Sequence, residues 1–334
     1  MIKKTASNIC KFISRNKVRV LFYHRVNRYG DHFGMDPETF EYQIRYLTKH
    51  YNIISMSDYL CLVKETERKK NAVLLTFDDG YKDNYTFAYP ILKKYSIPAT
   101  IFLTTDFIDG KIWLWHDIFR YMVENTPLKK VEVNLKDRNY EWRFENNTER
   151  LKVRKNIYDL YKDTPRSERM LKLRDLATLL KVSIPVLPTE KYAPLSWNDI
   201  KEMSKNNIEF GSHTRTHEIL SKLSNEDAYQ ELEESKQRIE NELQLRADVF
   251  AYPNGQHEDF TEATQMLLEK TSYKMAFTTI HGMNDKLSNK FLHKRISAET
   301  TCDSYFYSNV SGLNLAKSRI KDLLSFDTVP KICK

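Results

Sequence analysis

One unit recurs along this chain: a short apolar run rich in β-branched and aromatic residues, followed by a stretch with helical spacing. Seven such runs stand out, at Val18–Tyr23, Ala72–Phe77, Ala99–Thr104, Ile208–Ser212, Val249–Tyr252, Met275–Thr279 and Phe291–Ile296. Apolar runs of this length that alternate with helices become parallel strands joined by crossover connections. The reading is an α/β fold, and the number and spacing of the runs permit a closed or nearly closed barrel.

The helical segments are legible from periodicity. Pro37–Lys49 places Phe40, Ile44 and Leu47 at helical spacing, and Asn84–Tyr95 follows the second long run. Asn225–Leu243 carries Ala228, Leu232, Ser235, Ile239 and Leu243 on one stripe, with Ser224 or Asn225 as N-cap and acids in its first turn. Residues 111–192 break the rhythm. There, Val131–Leu135 and Tyr140–Phe144 predict a hairpin around Asp137-Arg138-Asn139, and Thr148–Leu180 predicts charged helix interrupted near Pro165. The expected organisation is a basic helix over 1–17, a barrel over 18–320 containing the insertion 111–192, and a tail over 321–334.

The 334 residues carry a formal charge of +8, with clusters at Lys3-Lys4, Arg68-Lys69-Lys70 and Lys129-Lys130. That balance favours acidic partners, either an anionic lipid surface or a phosphorylated or uronic saccharide. No nucleic-acid motif accompanies it, so no nucleic-acid partner is expected. Cys10, Cys61, Cys302 and Cys333 form no C-x-x-C pair and read as reduced thiols. No run approaches the length of a membrane span, and Lys11, Ser14, Arg15, Asn16 and Lys17 break the first apolar stretch. The expectation is a cytoplasmic protein, with peripheral attachment at the inner face of the cytoplasmic membrane left open. Residues 2–15 can form an amphipathic basic helix with Ile2, Ala6, Ile9, Cys10 and Ile13 on one side, resting on a membrane or packed on the domain.

Three motifs sit at predicted strand ends, where ligands gather in parallel α/β folds. Leu74-Leu75-Thr76-Phe77-Asp78-Asp79-Gly80 ends a strand in two adjacent carboxylates, a costly arrangement unless a cation neutralises it. Gly211-Ser212-His213-Thr214-Arg215-Thr216-His217 carries two histidines four apart on one side of a turn. Two imidazoles and one carboxylate can hold a divalent metal and leave positions open for water and substrate. A second acid outside the metal can then take the proton of the attacking water. Phe250-Ala251-Tyr252-Pro253-Asn254-Gly255 is a turn whose backbone N–H can face an oxyanion.

In this order the motifs resemble those of the polysaccharide deacetylase family (carbohydrate esterase family 4, the NodB-homology domain). The resemblance rests on Thr76–Gly80, Ser212–His217 and Tyr252–Gly255, with support from Leu195-Ser196-Trp197-Asn198-Asp199-Ile200 and Leu21-Phe22-Tyr23-His24-Arg25-Val26. It covers residues 18–110 and 193–300. It implies a distorted (β/α) barrel; with the seven runs and the segment 111–192, the expected fold is such a barrel of about seven parallel strands with a mainly helical insertion. It also implies Asp78 as general base, one divalent metal, zinc by expectation, on Asp79, His213 and His217, and the Asn254 N–H at the oxyanion.

Two positions depart from the family pattern. Ala251 stands where many members carry the arginine that orients the base. Phe291-Leu292-His293-Lys294-Arg295-Ile296 looks like a Pro-Arg-Ile variant in place of the late Leu-x-His motif. Arg295 is therefore assigned to pair with Asp78. His24 is assigned as general acid, with His293 second and His116 and His257 as further candidates. The function implied is removal of an N-acetyl group from a sugar of a surface polysaccharide, glycolipid or lipid-linked glycan precursor. A deformylase, an O-acetyl esterase and a catalytically inactive saccharide-binding barrel remain open. The oligomeric state is not legible.

Overall fold

The computed structural model describes residues 2–29, 34–62, 69–135 and 138–318. Its strands are β1 (Arg19–Tyr23), β2 (Asn52–Ile54), β3 (Ala72–Phe77), β4 (Ala99–Leu103), β5 (Lys130–Leu135), β6 (Arg138–Arg143), β7 (Ile208–Ser212), β8 (Val249–Ala251), β9 (Met275–His281) and β10 (His293–Ser297). All seven expected runs become strands. They pair in parallel in the order β1-β10-β9-β8-β7-β4-β3, and β3 returns to β1, so the sheet closes into a distorted barrel. Closure leaves no unpaired barrel edge.

β2 is the strand not anticipated. It is only three residues long and pairs with Ala72–Leu74, the lower half of one edge of β3. β4 takes the upper half of that edge at Thr76 and Phe77. This sharing is one local source of the barrel's irregularity.

Both faces of the parallel strands are buried, and the period of two separates their layers. Val20, Leu74, Phe102, Ala251 and Phe277 form one apolar cluster. Leu21, Tyr23, Val73, Leu75 and Phe77 alternate with them and pack on Phe40, Ile44 and Leu47 of the helix Pro37–His50. That helix is capped by Asp36, whose carboxylate accepts from the Thr39 N–H. Asn225–Leu243 is helical as expected, with Ser224 as its N-cap. The segment after β3 differs: a π-helical turn, Asn84–Ala88, precedes the α-helix Tyr89–Lys94. Pro90 has no N–H to donate to the preceding turn, which accounts for the altered ladder.

Between β4 and β7 the chain builds its own apolar cluster around Trp115, Phe119, Trp142, Ile157 and Leu173. β5 and β6 pair as an antiparallel hairpin, and helices Asn147–Tyr161 and Arg166–Leu179 follow, separated at Pro165. The hairpin's expected turn residue Asp137, the expected tail 321–334 and Cys333 lie outside the described residues. The returning chain is tied to the loop after β3: Lys82 N–H donates to Ala193 O at 2.8 Å and Leu195 N–H to Gly80 O at 2.9 Å. No described helix is long and apolar enough to cross a membrane.

Gly211 in β7 sits where a Cβ would lie 2.7 Å from the Phe102 ring and 2.8 Å from Val249 Cγ2. Gly211→Ala therefore overpacks the barrel and is expected to destabilise it by about 1–3 kcal/mol, read as a lower urea midpoint at constant m.

Candidate metal centre and active site

The loops at the C-terminal ends of β1, β3, β7 and β8, with residues of β10 and the segment after it, meet over one mouth of the barrel. A cavity of about 920 Å³ opens there, lined by His24, Asp78, Asp79, His213, His217, Asn254 and Glu299 among others. Every residue assigned from the sequence to the site lines it except Arg295, which lies fully buried beneath it.

Asp78 and Asp79 are both buried, yet their surroundings differ. Arg295 donates from Nη1 to Asp78 Oδ1 and from Nη2 to Oδ2, each at 2.7 Å. Its Nε donates to Thr278 O at 2.8 Å, so the guanidinium plane is fixed. The Phe22 ring lies 4.7 Å from it. Burial alone would raise the Asp78 pKa; the Arg295 charge, with His213 and its own hydrogen bonds to Arg295, holds it below the ordinary carboxylate value. Asp78 is thus an ionised carboxylate in a bidentate clamp.

Asp79 has no such partner. Its Oδ1 lies 3.1 Å from His217 Nε2 and 3.4 Å from His213 Nε2, but neither contact is aligned as a hydrogen bond, and the buried oxygen is unsatisfied. His213 Nδ1 is 2.7 Å from Ala251 O, which assigns the ring proton to Nδ1 and leaves the Nε2 lone pair facing Asp79. Burial pushes the His213 pKa down to about 4, so the ring is neutral, as a metal ligand must be. Three ligand atoms therefore converge from Asp79, His213 and His217, all buried. The orphaned oxygen and the outward-tied Nδ1 fit a divalent cation better than they fit a hydrogen-bonded cluster.

The backbone holds this arrangement in conformations that side chains rarely choose. Asp79, Thr214, His217 and Asn254 have φ of 75°, 67°, 61° and 60°. Local bonds support them: Thr214 Oγ1 accepts from His217 N–H at 2.9 Å, and Thr279 Oγ1 donates to Asn254 O. Gly255 completes the turn, because a Cβ there would meet Thr279 N at 2.8 Å.

His24 stands at the end of β1, partly exposed on the cavity floor. Glu299, just past β10, clamps it: Oε1 accepts from the His24 backbone N–H at 2.6 Å, and Oε2 lies 3.0 Å from the ring Nδ1. Burial would lower the His24 pKa, but Glu299, Asp79 and Asp78 raise it to about 9. The imidazole is therefore protonated at neutral pH. The other histidine candidates are placed differently. His293 is buried against the Tyr59 hydroxyl at 2.6 Å, is held near pKa 4 by burial, and does not line the cavity. His257 is exposed and does not line it either. His116 does: its ring meets His217 edge-on at 5.0 Å and its Nε2 lies 3.0 Å from the Tyr81 hydroxyl.

Sequence reasoning missed Glu299, which follows no motif and meets His24 from 275 positions away. The segment 111–192, whose sequence leaves substrate cover, a partner surface and plain packing open, supplies a wall of the cavity through Phe119, Arg120, Arg154, Lys155 and Tyr158.

The family model described as polysaccharide deacetylase matches residues 65–276. YxkH of Bacillus subtilis, a candidate polysaccharide deacetylase by name, is 24% identical over 268 residues, covering 80% of this chain and 66% of its own length. A poly-β-1,6-N-acetyl-D-glucosamine N-deacetylase of Staphylococcus aureus is 32% identical over 106 residues, covering 27% of this chain and 37% of its own. The chain thus spans less than two-thirds of each of these curated relatives. Among solved structures, the Streptococcus pyogenes deacetylase PplD shares the fold with a TM-score of 0.58 at 19% identity, covering 87% of this chain and 96% of that one. IcaB from Ammonifex degensii gives 0.56 at 18%, covering 89% and 96%.

Two outcomes follow for the isolated protein. Calorimetric titration and elemental analysis should find one divalent ion per chain, abolished in His213→Ala and His217→Ala but kept in Asp78→Asn. Glu299→Gln removes the charge that holds the His24 proton. If the protonated ring is needed for turnover, the alkaline limb of kcat/KM should move to lower pH in this variant, with the acid limb little changed.

Proposed function

Because the chain belongs to the polysaccharide deacetylase family, we propose that it hydrolyses the N-acetyl group of an amino sugar in a glycan, using a water molecule and one divalent cation. The observation that carries this reading is the division of labour between neighbouring carboxylates: Asp78 is pinned to Arg295, while Asp79 faces two imidazoles with an unsatisfied oxygen. A base held apart from a cation site is what amide hydrolysis by activated water requires.

Asp79, His213 and His217 would hold the cation, and zinc suits two imidazoles and a carboxylate. When bound, such an ion supplies Lewis acidity to the amide carbonyl and to water. The remaining roles belong to the chain. Asp78, kept ionised by Arg295, takes the proton of the attacking water. The Asn254 backbone N–H donates to the carbonyl oxygen as it gains charge. The protonated His24, oriented by Glu299, gives its proton to the departing amine, without which the amide C–N bond does not break. Arg295 stands here in place of the arginine absent at Ala251, whose carbonyl instead orients His213.

The shape of the site supports a chain-like substrate. A second cavity, lined by Phe22, Lys162, Gln256 and His281, shares His24, Tyr158, Asn254 and Thr279 with the first. Sugars can therefore extend to both sides of the reacting residue. The 106-residue similarity to an enzyme named for poly-β-1,6-N-acetyl-D-glucosamine supports an N-acetylhexosamine at the centre.

The test is mass spectrometry of glucosamine-based oligosaccharides incubated with metal-loaded protein. A loss of one acetyl per event, with free acetate formed, is expected; formate, or acetate from O-acetyl esters alone, would overturn the amide assignment. Asp78→Asn should lower kcat by about 10²–10⁴-fold with metal content unchanged.

A further inference from the structure

The helix Ile2–Ile13 packs on the barrel with the wrong side. Ala6, Ser7, Cys10 and Ser14 face inward, and Ser7 Oγ donates to Ser311 Oγ at 2.6 Å on the helix Asp303–Ser311. Ile9, Phe12 and Ile13 share the opposite side at i, i+3 and i+4, and they are 54%, 64% and 77% exposed. A helix that gained its place by burying apolar surface would be turned the other way. Arg15 flanks this stripe, its guanidinium over the Phe12 ring at 4.1 Å, while Lys11 turns to the domain and donates to His50 O at 2.6 Å.

The stripe lies at the end of the barrel opposite the active site. Asn71, just before β3, donates from its N–H to Arg15 O at 2.7 Å, so this turn sits where strands enter the barrel. The same end shows a second outward apolar residue. Leu287, 86% exposed, follows Asn284, which pairs with Val18 at the start of β1. The surrounding charge is basic: Lys17, Lys69, Lys70 and Arg246 all precede strands there, and Lys286 adjoins Leu287. Asp58, Asp248 and Asp285 at this end are each paired with a basic neighbour, Asp58 with Lys69, Asp248 with Arg246 and Lys274, Asp285 with Lys17, and the Glu209 carboxylate is taken up by the N–H groups of Met56 and Ser57.

We propose that the strand-entry end of the barrel docks on an anionic lipid bilayer, with Ile9, Phe12 and Ile13 inserted among the acyl chains and the basic rim on the headgroups. Outward apolar side chains within a basic rim match an interfacial helix, whose binding joins apolar burial to attraction for anionic lipid. A protein partner would need no particular charge, whereas the lysines and arginines here complement phosphate. The active site then opens away from the bilayer, about one strand length above it, roughly 17 Å for five residues. This inference stands apart from the proposed chemistry and can fail without it.

The experiment is flotation of the full chain with vesicles of phosphatidylcholine alone or with about one-third phosphatidylglycerol. Binding to the anionic vesicles, weakened on raising NaCl from about 0.1 M to about 0.5 M, is expected. The combined variant Ile9→Ser, Phe12→Ser, Ile13→Ser should lower the partition coefficient by at least about tenfold. Arg15→Glu with Lys70→Glu should remove the preference for anionic lipid. Metal content and thermal midpoint of both variants should match the wild type, since all five side chains point away from the core. Absence of vesicle binding overturns the proposal, and so does binding that neither variant weakens. A concentration-dependent dimer that the triple serine variant abolishes, without vesicle binding, overturns it in favour of a second copy of the chain.

Discussion

The site depends on two adjacent carboxylates buried together at the end of β3. Taking one such charge out of water is costly, and two side by side also repel. The protein meets this cost with different counter-charges. Asp78 receives a fixed guanidinium, delivered from β10 through the barrel interior. Asp79 receives two imidazole nitrogens and a place for a cation. The clamp serves more than charge. A carboxylate held by two parallel hydrogen bonds keeps its orientation, whereas a lone buried acid would take up a proton and lose its basicity.

Much of this was legible before any coordinates. Strand and helix periods are local properties, so all seven barrel strands and the helix Asn225–Leu243 could be read directly. The pairing of Arg295 with Asp78 was expected through the family resemblance, since Ala251 stands where many members carry the arginine that orients the base. What could not be read was set by distance or by backbone. Glu299 has no motif around it and becomes visible only when β10 lies beside β1. The role of Ala251 lies in its carbonyl, which no side-chain pattern reports. The short β2 depends on sharing an edge of β3, a tertiary fact. The helix Ile2–Ile13 was read as amphipathic, but its packing divides that apolar side, sending Ala6 and Cys10 inward and Ile9 and Ile13 outward.

Left-handed backbone at Asp79, Thr214, His217 and Asn254 carries a common meaning. Each is a non-glycine residue in a conformation that costs of order 1–3 kcal/mol outside a supporting structure. Three parallel strands end at these turns, and the tight reversals aim the side chains of Asp79 and His217 back over the barrel mouth. The surrounding ladder supplies the stability that such turns consume. Rigid strands below and strained corners above are a means of holding catalytic groups still.

Barrel closure has a consequence for synthesis. β1 precedes the other barrel strands in the sequence, yet its barrel neighbours are β3 and β10. Until β10 emerges, the Asp78 carboxylate lacks its guanidinium and His24 lacks its glutamate. A nascent chain thus holds the acids and both histidines but cannot bury them at low cost. Without β10 the sheet stays open and the pair of acids lacks its guanidinium. That state exposes the edges of β1 and β9 that β10 covers in the closed barrel, the kind of unpaired edge through which chains associate wrongly.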